Sequence, residues 1–428
     1  MKYSPKIKKL LTNKFFVNSF WYTFATMLPP LTGIILLPVF TKYFTPGEYG
    51  IFTTVQSYVW ILQLLMILSL HGAITRLYYD YKENSKEQKE YLGSVVMFTV
   101  VFAGLISALL LLLKPIVGPL LFKNIPIDPY YDILIYFALS SSLSLVPMAI
   151  LRAQERAKSF VVINIIKSVI VMAVTSIAVI FMNKGPEAAL FSFIIAGIGT
   201  GLGYVGVLYK SVRLSFKKQY IKQSLAFSIP LLPHVISGWA ITASSRFILE
   251  KFVSLDELGR FSLAAQMAMV LGMLYTGVNN AFVPRYTRLM KDRKENEANK
   301  IMKYFQVGVI VLGVLAIIFS LLVIEWLLPP KYNGVSGILI FLLTAEIVRG
   351  FYFVVVARLF YIKNTKIVGI SSVSAATVNV GVNLILIPII GVWGAVVAAI
   401  AAELTRFIFN LYQERRYLNK KLQAESQE

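Results

Sequence analysis

Six charged residues stand inside apolar runs of this 428-residue chain: Lys167, Arg246, Glu346, Arg349, Glu403 and Arg406. Charge removed from water is costly unless it is paired, so each is a functional candidate. Glu346 and Arg349 are three residues apart, as are Glu403 and Arg406. On a helix each pair shares one face and can neutralise itself. Lys167 has no acidic neighbour in sequence, and Arg246 has only Glu250, one turn on. A cation so placed suits phosphate or carboxylate, arginine by a two-pronged grip and lysine as a point charge. Trp239 and Tyr22 offer ring faces for sugars, with plain packing as the alternative, and His234 beside Pro233 is either a proton carrier or part of the core. The residues expected to contact a substrate are therefore Arg246, Lys167, Arg349, Glu346, Trp239 and Tyr22.

The chemistry stops at binding. A hydrolase or a glycosyl transferase needs carboxylates or a nucleophile gathered at one wet surface, and the acidic residues here are few and scattered. There are no cysteines and only two histidines, His71 and His234, so neither a thiolate nor a histidine metal site can be assembled. The expectation is a protein that is not an enzyme and holds no metal or cofactor.

The elements that carry these residues are long apolar helices. Hydrophobic residues make up 57% of the chain and charged ones 15%. A soluble domain carries roughly a quarter charged residues. Runs of about 20 apolar residues, each enough to cross a bilayer, recur from end to end. They predict twelve spans, near 15–41, 49–79, 91–117, 130–152, 160–183, 188–210, 224–252, 257–288, 301–329, 335–362, 367–389 and 391–413. The net charge of +21 does not point to nucleic acid, because the basic residues lie in the short loops between spans. Alternate loops carry about 30 Lys and Arg on one side against about 7 on the other, which predicts both termini in the cytoplasm.

The chain also repeats itself. KYFTPGEYGIF at Lys42–Phe52 is similar to KFVSLDELGRF at Lys251–Phe261, with Lys42, Glu48, Gly50 and Phe52 falling on Lys251, Glu257, Gly259 and Phe261. The offset is close to half the chain, so two six-span repeats are expected. The corresponding domains are 1–210, a basic linker at 211–223, a second bundle at 224–413 and a tail at 414–428. Thr45-x-x-Glu48 and Ser254-x-x-Glu257 look like capping boxes opening the second helix of each half. Pro29, Pro30 and Pro38 in one first span, and Pro230 and Pro233 in the other, mark helices expected to bend; Pro29, Pro30, Pro230 and Pro233 are the candidate hinges. Gly201-x-Gly203-x-x-Gly206 has the form of a dinucleotide fingerprint but lies within an apolar helix, where close helix packing is expected of it.

IPLLPHVISGWAITASSRFIL from Ile229, followed by DELGRFSLA, resembles the polysaccharide and O-antigen flippases of the multidrug/oligosaccharidyl-lipid/polysaccharide exporter superfamily. LLPVFTKYFTPGEYGIF from Leu36 fits the first two spans of the same family, and the twelve-span layout extends the likeness over nearly the whole chain. The resemblance implies an all-α, MATE-like membrane fold of two six-helix bundles in a V around a central cleft, in the bacterial cytoplasmic membrane. It implies a flippase that moves undecaprenyl-pyrophosphate-linked oligosaccharide to the outer leaflet by alternating access, for O-antigen or capsule synthesis. Lipid-linked oligosaccharide and membrane lipids would be its partners, with a polysaccharide polymerase complex as a further one. Coupling to H+ or Na+ follows by analogy alone. The family's usual acidic residue before the span-seven arginine is Ser245 here, which leaves Arg246 freer for substrate. The alternatives are a multidrug/cation antiporter of the same fold and a scaffold subunit of a polysaccharide synthase.

Overall fold

The computed structural model describes residues 14–362 and 364–425, without the side chains of residues 14–20, 23, 234, 365 and 417–425. The role expected of His234 lies outside the described residues. Among those described the chain is helical, with no strand. Eleven helices are long and apolar enough to cross a bilayer. A twelfth span arises when Lys218–Leu231 and Val235–Phe252 are taken as one crossing, bent by 51°. The protein is an all-α, multi-pass membrane protein.

It divides into two compact units, residues 1–44 with 55–232, and residues 45–54 with 233–428. The first contains α1 (Lys14–Ile35), α2 (Leu37–Tyr43), the larger part of α3 (Pro46–Ile67), α4 (Leu70–Leu77), α5 (Lys86–Leu112), α6 (Lys114–Leu121), α7 (Ile127–Ala153), α8 (Ala157–Ser176), α9 (Pro186–Leu208) and α10 (Lys218–Ser228). The second contains α11 (Leu232–Phe252), α12 (Leu255–Lys291), α13 (Glu295–Phe319), α14 (Val335–Tyr361), α15 (Thr365–Ile390) and α16 (Val392–Glu425), together with the first turns of α3.

The second span is not continuous. Leu68 and Ser69 take left-handed φ values of 47° and 56°, and α4 starts afresh at Leu70. Its Leu70, Ala73, Ile74 and Leu77 recur at helical spacing and are buried in the core of unit 1 beside Tyr91, Ile150, Phe160 and Tyr204.

The expected linker at 211–223 is shorter and less free than its composition suggests. Helix α10 begins at Lys218, and the preceding strand-like stretch is docked on α5. Arg213 N–H donates to Lys89 O at 3.0 Å, and Lys217 N–H to Ser94 Oγ at 3.1 Å. Glu90 receives Lys217 Nζ at 2.5 Å and has Arg213 at 3.6 Å. The hydrogen bond that the Lys217 ammonium donates to Glu90 holds it above its ordinary pKa. A Cβ on Gly93 would lie 1.8 Å from Arg213 O, so only glycine permits this approach. The tail also differs from expectation: α16 continues to Glu425, and Glu414 pairs with Arg358 at 2.5 Å.

Both capping boxes form. Thr45 N–H donates to Glu48 Oε2 at 2.7 Å while Thr45 Oγ1 accepts from Glu48 N–H at 3.2 Å. Ser254 and Glu257 repeat the exchange at 3.1 and 3.3 Å. Within unit 2 the two capped starts meet. Gly47 N–H donates to Asp256 Oδ1 at 2.8 Å, and the repeat-equivalent Gly50 and Gly259 touch backbone to backbone. A Cβ on Gly259 would stand 1.7 Å from Pro46 O.

The glycines of α9 do something different from what their pattern suggests. A Cβ on Gly201, Gly203 or Gly206 would meet nothing within 4 Å, and Leu202 and Val205 beside them are exposed. Among the described residues nothing is set close against these glycines; the close approach belongs to Gly197, which abuts Ser140 on α7. Gly203→Ala should therefore raise thermal stability slightly, by at most about 1 kcal/mol, because it removes backbone entropy without a clash. A fall in the melting temperature of the detergent-purified variant would contradict this.

Candidate substrate site

Helix α11 places Trp239, Thr242 and Arg246 on one face, at spacings of three and four. Arg246 Nε donates to Ser262 Oγ on α12 at 3.2 Å, and its NH1 reaches back to Thr242 O at 3.5 Å. Arg246 is half-buried, Trp239 likewise, and Thr242 is exposed. Tyr49, buried in the same unit, lies within electrostatic range of the guanidinium. Among the described residues Arg246 makes no ion pair; its hydrogen bonds go to neutral oxygens. It is held in place and keeps its charge uncompensated.

The neighbouring position explains part of this freedom. Ser245 accepts from Asn383 Nδ2 at 3.1 Å, and Ser244 lies 3.0 Å from Asn379 Oδ1. Asn383 Nδ2 also donates to Asn379 Oδ1 at 3.0 Å. These four residues tie α11 to α15 through a neutral, buried seam. A neutral seam leaves the arginine unmatched.

The acidic pairs behave otherwise. Glu346 and Arg349 of α14 are 3.4 Å apart, and Glu403 and Arg406 of α16 are 3.3 Å apart. Glu346 also lies in the field of Glu403 and Arg406, so the four charges form one balanced cluster. A Cβ on Gly272 of α12 would come within 2.3 Å of Glu346 Oε2, so this glycine makes room for the carboxylate. The arginines sit over aromatic faces, Arg406 at 5.0 Å from Tyr352 and Arg349 at 5.7 Å from Phe353. Both charges of each pair have a partner before any substrate arrives.

In unit 1, Lys167 lies on α8 two turns beyond Phe160, with the buried Asn164 between them on the same face. Among the described residues it has no hydrogen bond and no ion pair, and it is half-buried. Tyr22 of α1 packs edge-on against Phe160, centroids 5.2 Å apart, so its ring is engaged in packing. Its hydroxyl is buried without a hydrogen-bond partner among the described residues. Of the candidate hinges, Pro29 and Pro30 lie inside α1, which runs on to Ile35 and breaks at Leu36, ahead of Pro38. Pro230 lies in a 3₁₀ turn at Ile229–Leu231 and Pro233 in the first turn of α11, where the span bends.

Residues 15–290 match the family described as "Polysaccharide biosynthesis protein". The chain belongs to that family. Among curated relatives it is 24% identical to "Lsg locus putative protein 1" of Haemophilus influenzae, over 86% of this chain and 90% of that protein. It is 23% identical to "Putative O-antigen transporter" of Shigella flexneri, over 70% of this chain and 73% of that protein. Among solved structures it is similar to "Lipid II flippase MurJ, inward closed conformation", with a TM-score of 0.76 at 16% identity, over 92% of this chain and 87% of that one. At that identity the likeness concerns the fold. This member of the polysaccharide biosynthesis family is a multi-pass protein of the bacterial inner membrane.

For this family member, sequence reasoning missed the Ser–Asn seam. Its signal was present: Asn379 and Asn383 stand four apart in an apolar run, as amides at depth that require partners. The charge cluster leads to a prediction. Glu346→Gln should lower the stability of the purified protein by about 2 kcal/mol, since Arg349, only 28% exposed, loses its counter-charge. Glu346→Gln combined with Arg349→Gln should recover part of the loss. Thermal denaturation in detergent checks both, and an unchanged melting temperature in the single variant would remove the structural role.

Proposed function

We propose that this protein is a flippase that carries a lipid-linked oligosaccharide across the inner membrane by alternating access, for the synthesis of a cell-surface polysaccharide. The observation that carries the proposal is the imbalance of charge at depth. Glu346 and Glu403 are each matched by an arginine, whereas Lys167 and Arg246 have no acidic partner among the described residues. Lys167 in one unit and Arg246 in the other are thus uncompensated cations within spans, suited to the phosphates of an undecaprenyl-pyrophosphate carrier. Trp239 and the exposed Thr242 beside Arg246 provide a ring face and a hydroxyl for sugars. Family membership, and a relative named as an O-antigen transporter, support the same substrate class. The work is translocation, so no covalent chemistry is assigned to any residue.

An exporter of organic cations would use an unpaired carboxylate at depth, and the two carboxylates of the cluster are already engaged. The deciding experiment is translocation of a fluorescent undecaprenyl-pyrophosphate oligosaccharide in proteoliposomes. Outward movement by the wild-type protein is the expected result. Exchange of an organic cation for protons, with the lipid left in place, would replace this reading by the antiporter.

A further inference from the structure

A second cation in unit 1 is unmatched, and it stands at the very end of a span. Arg152 ends α7, in the turn that leads to α8. It is exposed, and among the described residues its side chain makes no hydrogen bond and no ion pair. Its guanidinium carbon lies over the ring of Phe160, 5.9 Å from the centroid. The same ring carries Tyr22 on its edge, at 5.2 Å. His71, Tyr22 and Tyr204 all lie within electrostatic range of Arg152.

Two polar atoms of this group are orphans. Tyr22 Oη and His71 Nδ1 are buried, and neither has a hydrogen-bond partner among the described residues. Leaving such an atom unpaired costs about 1–3 kcal/mol, so two of them beside an unpaired guanidinium make a cluster able to hydrogen-bond a ligand. The backbone around them is fixed. Tyr79 Oη donates to Ala153 O at 3.1 Å, and Arg156 NH1 donates to Val207 O at 3.0 Å. The end of α7 is thereby tied on both sides while the Arg152 side chain stays unpaired. Beneath lies the apolar core of Leu70, Ile74, Ile150 and Tyr204. Glu155 is the nearby carboxylate; it lies within electrostatic range of Tyr22 and, among the described residues, forms no ion pair with Arg152.

We propose that Arg152, Tyr22 Oη and His71 form a binding subsite for a phosphoryl group. Arg152 supplies the charge and a two-pronged donor face. Tyr22 donates a hydroxyl hydrogen bond, and His71 donates from Nδ1 in the tautomer that protonates it. The exposed guanidinium is the point of entry. Lys167 lies two turns from Phe160 along the same face of α8, about 10 Å further on, so a phosphate released from Arg152 meets a second cation. Binding of a phosphoryl group stands on the geometry alone. Its assignment to the transported lipid rests on the flippase reading, with the loop of Arg152 taken as cytoplasmic.

The test uses the full chain in phosphatidylcholine nanodiscs, titrated calorimetrically with farnesyl pyrophosphate and with inorganic pyrophosphate, then repeated with phosphatidylglycerol in the disc. Arg152→Gln should weaken binding of pyrophosphate groups by about tenfold or more, Arg152→Lys by only a few fold, and Tyr22→Phe by an intermediate factor. Lys158→Gln, at an exposed cation in the first turn of α8, should change nothing. Farnesyl pyrophosphate binding far more tightly than inorganic pyrophosphate identifies a prenyl carrier. Equal affinity identifies the free anion, and competition by phosphatidylglycerol identifies bilayer headgroups; each supports the subsite. Tyr22→Phe keeps the ring and the packing, so it decides the matter if Arg152→Gln fails to fold. The proposal is overturned if wild type binds none of these probes, or if Arg152→Gln and Lys158→Gln weaken binding equally. Wild type that binds farnesyl pyrophosphate through Arg152 but moves no lipid would refute the flippase reading and leave the subsite intact.

Discussion

Arg246→Ala should reduce translocation of the lipid-linked oligosaccharide in proteoliposomes by about ten- to a hundredfold. The estimate is the worth of a charge-assisted hydrogen bond, about 1.5–3 kcal/mol, with every 1.4 kcal/mol giving a factor of ten. The loss should appear with little unfolding. Arg246 gives up only two hydrogen bonds to neutral oxygens, at 3.2 and 3.5 Å, and no ion pair is broken. Arg246→Lys keeps the charge but not the planar fork, so an intermediate rate is expected. Ser262→Ala removes the oxygen that positions Nε while leaving the charge, and should cost only a few fold. Alanine at 246 supporting the wild-type rate, with the melting temperature unchanged, would remove the arginine from the substrate path. Equal losses for lysine and alanine would mean that geometry, and not charge, is what matters there.

The second large effect is on stability and comes from Gly259→Ala. A methyl group at this position would lie 1.7 Å from Pro46 O and 2.4 Å from its carbonyl carbon. Neither is a flexible side-chain end, so the starts of α3 and α12 must separate. Overpacking of this kind costs about 3 kcal/mol. Separation also stretches the hydrogen bond from Gly47 to Asp256, now 2.8 Å, and pulls on Tyr332, whose hydroxyl donates to Thr45 O at 3.3 Å. A drop of several degrees in the melting temperature of detergent-purified protein is the expected outcome. Gly50→Ala should have a smaller effect, since its nearest atom would be 2.8 Å away. The two variants share one contact, so the double variant should lose less than the sum of the singles. A Gly259→Ala protein as stable as wild type would show that the contact yields without cost.

The membrane class, the number of spans, the internal repeat and both capping boxes were legible in the residues. Each is a local property: apolar run length, spacing along one helix, or the exchange of two hydrogen bonds within a single turn. The repeat aligned Gly50 with Gly259, but no sequence rule says that equivalent residues touch. The structure makes them neighbours because the first turns of α3 pack with the second unit. The glycines of α9 show the opposite case. Their spacing suggested a packed face, and the face lies open, because a glycine pattern records what a helix permits and not what is set against it.

The charges divide in the same way. Sequence alone picked out six charges within apolar runs and paired Glu346 with Arg349 and Glu403 with Arg406 by spacing along one helix. Tertiary structure decided that the two pairs share one field, that Gly272 provides the space for a carboxylate, and that Ser245 turns to Asn383 and leaves Arg246 unmatched. It also gathered Arg152 and Tyr22 around Phe160 and set His71 within the field of Arg152, from three distant stretches of the chain. Electrostatic partnership falls off over a few ångströms, and those distances are set by which helices lie side by side, which the order of residues along one chain does not state.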